Sequence, residues 1–317
     1  MIKIDNNSDK LIISHISDID GMGSVILAKL VFNIDVYLLA IEEVRDILND
    51  LVKNNKYKEI YMCDLSIPDD MADMLDGKLP LKHFDHHPTN IYVSKYDWSI
   101  VIPEINGFKP SGTSLFYDYL INNYDNEIIH SDKVKQFVEA IRSYDTWDFV
   151  NTKNMLGKYL TMIFSMYGQV KFIDTFYNRL LDNNINFELN DLEKSLIEIK
   201  KEEMENYVND CDKNLIKTKF LDYYVGITIS ELFRSEVGNK LSEKYKDELD
   251  FILIIDFHRR SYSTRTVNEI DLGEICKKLG GGGHKKAAGF PMNDKNNELI
   301  LDIIKDNLNK NLIIKSN

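Results

Sequence analysis

Phe84-Asp85-His86-His87-Pro88 follows a short apolar run over residues 79–84 that Pro80 and Lys82 interrupt. The run reads as a buried strand ending in a loop, and strand ends of open α/β sheets are where ligands and metals collect. On an extended backbone neighbouring side chains point to opposite faces. His86 and His87 are therefore expected to have different tasks, one ring binding a metal and the other facing a substrate. Asp85 is placed to hold a histidine ring through its second nitrogen, as carboxylates do behind metal-binding imidazoles.

Working outward, residues 11–16 form a β-branched run that leads into Ser17-Asp18-Ile19-Asp20-Gly21-Met22-Gly23-Ser24. Val25, Ile26, Leu27, Leu30 and Val31 then suit a helix packed on a sheet. His15, Asp18 and Asp20 offer one imidazole and two carboxylates, a ligand set for Mn²⁺, Mg²⁺, Zn²⁺ or Fe²⁺ with no thiolate to favour soft metals. Gly21 and Gly23 would let backbone approach a bound phosphate. A strand over residues 34–40 and a helix over 41–52 continue a βαβ rhythm, which predicts a parallel sheet. The next strand, 57–63, carries Asp64 at its carboxyl end, and Pro68 with Asp69-Asp70 opens another helix. Cys63 reads as a small core residue. Further on, Pro110-Ser111-Gly112-Thr113-Ser114 caps a helix, and a helix over 132–144 ends at Asp145, flanked by Tyr144 and Trp147.

With 317 residues the chain is long for one core, and two domains are expected. A net charge of −12 argues against a basic stripe that tracks long duplex nucleic acid. No apolar run approaches a membrane span, and the polar start is unlike a signal peptide, so a cytoplasmic protein without membrane contact is expected. Cys63, Cys211 and Cys276 are too few and too far apart for a disulfide framework.

The second half opens with a charged stretch at 190–213 whose apolar residues recur at helical spacing, read as a linker helix with a solvated face. Strands are predicted over 220–229, 249–257 and 260–267, with helices over 231–245 and 272–279. Gly280-Gly281-Gly282-Gly283-His284-Lys285-Lys286 follows; freely rotating glycines present backbone N–H groups to an anion, and His284 with Lys285 adds donors. No Walker lysine-serine pattern and no Gly-x-Gly-x-x-Gly after a strand occurs, which disfavours nucleotide hydrolysis of the P-loop kind.

Taken together these motifs resemble those of the DHH/DHHA1 phosphoesterases, most narrowly the bacterial nanoRNase (oligoribonuclease) branch. His15 to Gly21 resembles the family's first motif, Asp64 stands for the second, Asp85-His86-His87 for the third and Asp145 for the fourth. Gly280 to His284 with Ala287-Ala288-Gly289 is similar to the glycine-rich motif of the associated C-terminal domain. Ser263-Thr264-Arg265-Thr266 matches that domain's Ser-x-Arg-Ser strand except for the final Thr. The His15-to-Asp18 spacing also differs from that of many relatives. Ser111 to Tyr117 and Ile141 to Trp147 are similar to the nanoRNase branch specifically.

The resemblance implies an α/β fold: a parallel-sheet DHH domain with a helical extension (residues 1–188), a linker helix (189–214) and a smaller α/β DHHA1 domain (215–317), with the active-site cleft between the domains. It implies two divalent cations, usually Mn²⁺ with Mg²⁺ as the alternative. His15 and Asp18 would hold one, Asp20, His86 and Asp145 the other, and Asp64 would bridge both. His87 would face the scissile phosphate or leaving group with Asp85 behind it. Arg265, Ser263, Gly281, Gly282, Gly283 and His284 would bind the end of the substrate. The expected substrate is a short single-stranded RNA or a dinucleotide, hydrolysed to mononucleotides; a homodimer stays open. The alternatives are a phosphatase of 3′-phosphoadenosine 5′-phosphate, a cyclic- or linear-dinucleotide phosphodiesterase, and a non-catalytic nucleotide-binding regulator. Loss of an acidic ligand would mark the last, and none is lost.

Overall fold

The structure, a computed structural model, describes residues 1–182 and 187–314, with residues 306–314 described by backbone alone. Two compact units divide the chain, Met1–Ile197 and Glu198–Asn317.

Alternation of side chains builds the first unit. In β2 (Lys10–His15) Leu11 and Ile13 face one core while Ile12 faces the other; in β4 (Glu59–Cys63) Ile60 and Met62 oppose Tyr61 and Cys63 in the same way. A strand apolar on both faces must be covered on both, which is the condition for a parallel sheet inside an α/β layer structure. The sheet order is β1-β3-β2-β4-β5-β6, where β1 is Ile2–Ile4, β3 Asp35–Leu39, β5 Leu81–Asp85 and β6 Ser99–Val101. All neighbours pair in parallel except β1, which runs antiparallel along the edge of β3. One face carries α2 (Val44–Asn54) and α3 (Asp69–Leu75). The other carries α1 (Ile19–Val31), α4 (Gly112–Asn123), α5 (Asp132–Asp145) and α7 (Leu156–Leu181), with the short α6 (Phe149–Thr152) between the last two. Edge strands β1 and β6 have only three residues each, too short for a periodic signal.

Helix α8 (Asp191–Lys213) is continuous across the division after Ile197. Its early residues Glu193 and Ile197 are buried, Glu193 in an ion pair with Arg179, while Val208 and Cys211 pack with the second unit's core.

The second unit is a six-stranded sheet in the order β11-β12-β10-β9-β8-β7. The strands are β7 (Ile216–Phe220), β8 (Tyr223–Ile229), β9 (Phe251–Asp256), β10 (Ser261–Arg265), β11 (Gly282–His284) and β12 (Ala287–Pro291). Only β8 and β9 pair in parallel. Helices α9 (Arg234–Lys244), α10 (Leu272–Lys278) and α11 (Asp294–Ile314) complete it. The single strand expected over 220–229 is instead the second half of a hairpin. Leu221, at φ 54, turns the chain between β7 and β8, and no glycine or asparagine announces the turn. No helix among the described residues is long and apolar enough to cross a membrane.

Candidate metal centre

Strand β2 lies between β3 and β4, so the chain moves outward from β2 to opposite sides of the sheet. Such a switch point opens a crevice beyond the carboxyl ends of the strands. His15 ends β2, Asp64 follows β4, and Asp85-His86-His87 ends and follows β5. Asp18 caps α1, its Oδ1 accepting from Gly21 N at 3.0 Å, and Asp20 sits in that helix's first turn. Asp145, the last residue of α5, completes the ring.

Asp64 is the hub. Its Oδ2 lies 3.7 Å from His15 Nδ1, while its Oδ1 lies 3.6 Å from His86 Nε2 and 3.9 Å from His87 Nδ1. The residue is buried and adopts φ 54, a left-handed conformation that aspartate tolerates better than most side chains. Around it stand one set of His15, Asp18 and Asp64 and another of Asp20, His86 and Asp145, each with ligand atoms within 4.8 Å of one another. The donors are imidazoles and carboxylates, suited to Mn²⁺, Mg²⁺ or Zn²⁺. The buried atoms His86 Nε2 and Asp145 Oδ2, 3.3 Å apart, have no hydrogen-bond partner. A buried polar group without a partner is costly, and a cation between these two atoms would satisfy both.

Asp20 is fully buried and held by the start of α4, where Gly112 N donates to its Oδ2 at 2.7 Å and Thr113 N to its Oδ1 at 2.9 Å. Gly112 and Thr113 are thus part of the site. Their motif is visible in the sequence, but their contact with a residue about ninety positions earlier is not.

Asp85 serves differently. Its Oδ1 accepts from the backbone N of His86 (2.8 Å) and His87 (3.2 Å) and contacts His87 Nδ1 at 2.7 Å, while its Oδ2 accepts from Asn90 at 2.6 Å. With both oxygens occupied, it orients the loop and the His87 ring. This corrects the expectation of oppositely pointing histidines: the two rings lie 4.4 Å apart. Both follow the strand's last residue, where the pleat no longer sets direction and the Asp85 carboxylate does. His83 and Asn90 are further supports that the sequence reading missed. His83 is buried between Ser99 Oγ and the Leu65 carbonyl, each 2.9 Å away.

Gly21 and Gly23 are also reassigned. A Cβ on Gly21 would fall 2.0 Å from the His15 carbonyl oxygen, and one on Gly23 would meet Ile141 at 2.5 Å. Both are buried, and the close approach they permit is to the protein's own chain, so packing accounts for them.

The charge state fits a centre built for cations. Burial, then the nearby Asp20 and Asp18 charges, push Asp64 up to about 7. Burial and the Asp20 charge push Asp145 up to about 8. Burial works against protonated His15 and His86. The Asp18 and Asp64 carboxylates nevertheless raise His15 to about 10, and the nearby Asp64 and Asp145 carboxylates raise His86 to about 9. Burial likewise opposes ionised Asp18 and Asp85, but His15 and His87 respectively hold them below the ordinary carboxylate value.

In the second unit, Ser263, Gly289 and Gly282 occupy one row across β10, β12 and β11, and Arg265, Ala287 and His284 the next row of the same parity. Residues directly opposite in antiparallel strands share a face, so Ser263, Arg265 and His284 are on one side of the sheet. Arg265 Nη1 donates to the Thr264 carbonyl at 2.8 Å, and among the described residues no carboxylate lies within ion-pair distance of it. Burial and the neighbouring Arg234 charge lower the Arg265 pKa. Arg234, which sequence reasoning passed over, approaches Ser263 Oγ at 3.5 Å and pairs with Asp256 at 3.1 Å. The glycine run is not the freely rotating loop expected: Gly282 to His284 form edge strand β11, and Gly281 N donates to the Cys276 carbonyl at 2.9 Å. Gly281 is required by packing, since a Cβ there would fall 2.0 Å from the Gly289 carbonyl oxygen.

Comparison with known proteins bears on the family and the fold. Residues 230–310 match the DHHA1 domain. The oligoribonuclease NrnB of Bacillus subtilis is 31% identical over 299 residues, covering 90% of this chain and 73% of that protein. Among solved structures, the pGpG-specific phosphodiesterase PggH of Vibrio cholerae aligns with a TM-score of 0.51 at 15% identity, over 95% of this chain and 99% of that one. RecJ of Thermus thermophilus in complex with Mn²⁺ aligns with a TM-score of 0.52 at 12% identity, over 95% and 52% of the respective chains. At these identities the two structures speak for the fold.

Proposed function

The chain belongs to the DHH/DHHA1 phosphoesterase family, and on that premise we propose that it hydrolyses short single-stranded oligoribonucleotides, dinucleotides included, to mononucleotides. Two divalent cations serve it, Mn²⁺ best. The observation that carries this reading is the Asp64 carboxylate, whose two oxygens face two different ligand sets. His15 and Asp18 would hold one cation and Asp20, His86 and Asp145 the other. When bound, the cations supply positive charge to the phosphoryl oxygens and activate water, so no side-chain nucleophile is needed.

The chain's own residues do the positioning. The α4 N-terminus fixes Asp20, and the Asp85 clamp fixes His87 through Nδ1. That leaves His87 Nε2, on a half-exposed ring, to donate to a phosphoryl or departing oxygen. Arg265, without a carboxylate partner, and His284 on the same sheet face are suited to gripping the terminal phosphate or sugar. Ser263 and the Gly281–Gly283 segment belong to the same substrate-binding surface.

Product analysis on labelled di- to pentaribonucleotides, beside 3′-phosphoadenosine 5′-phosphate and a cyclic dinucleotide, tests the proposal. Mononucleotides should accumulate with Mn²⁺ and vanish with excess chelator. Turnover of 3′-phosphoadenosine 5′-phosphate alone would reassign the substrate, and full turnover after chelation would end the two-metal reading.

A further inference from the structure

The first unit holds a cavity of about 360 Å³ whose lining includes Phe108, Lys109, Arg142, Trp147 and Asp148. Two large aromatic side chains on it are left to solvent, Phe108 at 49% and Trp147 at 58% exposure. Trp147 also sits at φ 63, a conformation that bulky residues avoid. Such strain is kept where the surroundings impose it and clusters at ligand sites. Folding does not explain a tryptophan here, because its exposed ring contributes little to the core.

Both walls of the cavity grow from segments that build the metal centre. Trp147 follows Asp145 by two residues, so their Cα atoms are at most about 7 Å apart. Lys109 precedes Gly112, which holds Asp20, by three positions. Arg142 is not a free cation waiting for phosphate. Its guanidinium pairs with Glu139 and Asp148, donates to the Lys109 carbonyl at 3.2 Å, and lies 4.7 Å from the centre of the Phe108 ring. It therefore braces Phe108 and the loop, while Lys109 remains exposed at the rim.

We propose that the cavity bordered by Phe108 and Trp147 is a stacking site for one nucleobase of the substrate, the base adjoining the phosphate at the metal centre. The inference rests on the oligonucleotide reading above and adds the residues that hold the base. Every base has a π face, and Arg142 and Asp148 satisfy each other. The site therefore binds with little base preference, as stacking platforms do.

The test uses the full chain with Mn²⁺, the variants Trp147→Ala and Trp147→Phe, and a diribonucleotide beside its analogues lacking one or the other base. Trp147→Ala should raise KM for the intact dinucleotide by roughly 5- to 150-fold, the range that base–aromatic stacking carries, and Trp147→Phe should restore most of it. On the analogue missing the stacked base, wild type and Trp147→Ala should have the same KM. In a Trp98→Phe background, where Trp147 is the sole indole, AMP should quench its fluorescence, and Phe108→Ala should weaken that quenching. An unchanged KM in Trp147→Ala overturns the proposal, as does an equal loss on intact and base-free substrates with a lowered melting temperature. A wild type that cleaves no dinucleotide refutes the oligonucleotide reading instead, and AMP quenching then decides the base site separately.

Discussion

Gly112→Ala should disable the metal centre although it replaces none of the proposed ligands. A methyl group at residue 112 would lie 2.8 Å from Asp64 Cβ, 3.0 Å from Asp64 N and 3.0 Å from Asp20 Oδ2. None of these is the loose end of a flexible chain: Asp64 is fixed by its backbone hydrogen bond to Phe84, and Asp20 by the α4 amides. At a helix start, alanine would otherwise gain up to about 0.5–1 kcal/mol over glycine. Overpacking costs about 1–3 kcal/mol, so the net change in stability should be about 0–2.5 kcal/mol of loss. The larger effect falls on function, since moving catalytic groups by about 1 Å costs on the order of 10²-fold in rate. The assay pairs kcat on a diribonucleotide with Mn²⁺ titration by calorimetry and a melting curve. A variant with wild-type rate and wild-type Mn²⁺ affinity would refute the claim that the α4 start packs directly on the ligands.

Three further outcomes are expected. Asp64→Ala should abolish turnover more completely than His15→Ala, because its two oxygens lie toward His15 on one side and His86 on the other; a near-normal rate in purified Asp64→Ala would remove that residue from the site. In chelator, the melting temperature should fall from pH 6 to pH 9. Asp64, Asp145, His86 and His15 all have raised folded-state pKa values, about 7, 8, 9 and 10, so each holds a proton the unfolded chain releases earlier, and that stability is lost as pH rises through them. Mn²⁺ displaces those protons, so its affinity should increase over the same window, and a melting temperature that is flat or rises in chelator contradicts this. Arg265→Ala should chiefly raise KM for short oligonucleotides, losing a charge-assisted contact worth about 1.5–3 kcal/mol. It should spare bis-p-nitrophenyl phosphate, and equal losses on both substrates would sink the assignment.

What the sequence made legible was contiguous or periodic. Asp85-His86-His87 and His15 to Asp20 are local strings at strand ends, and the two-faced apolar strands β2, β4 and β9 carry their own signal. Asp64 was found because it terminates such a strand. Its left-handed backbone, however, and the clamp of Asp20 by Gly112 and Thr113 depend on chain segments that meet only in the folded sheet. The glycine run misled for the opposite reason. Four glycines in sequence suggest freedom, but Gly281 is fixed by a carbonyl of the neighbouring strand and Gly282 and Gly283 by pairing with β12. The hairpin at Leu221 had only Asp222, with no glycine or asparagine, to betray it.

The way the chain treats its buried acids separates this centre from the rest of the molecule. Asp35 is paired with Lys56 at 3.3 Å, Glu193 with Arg179 at 2.7 Å and Asp256 with Arg234 at 3.1 Å. A permanent cation offsets the cost of taking each of those carboxylates out of water. Asp20, Asp64 and Asp145 receive no lysine or arginine among the described residues; their charged neighbours are His15, His86 and His87, which titrate. Backbone amides supply part of the compensation at Asp20, and none of it is a full charge. The same sequence thus neutralises its structural acids with fixed side chains and leaves this group to protons or to ions from solution. A stability role would call for the first arrangement, and exchangeable divalent cations call for the second.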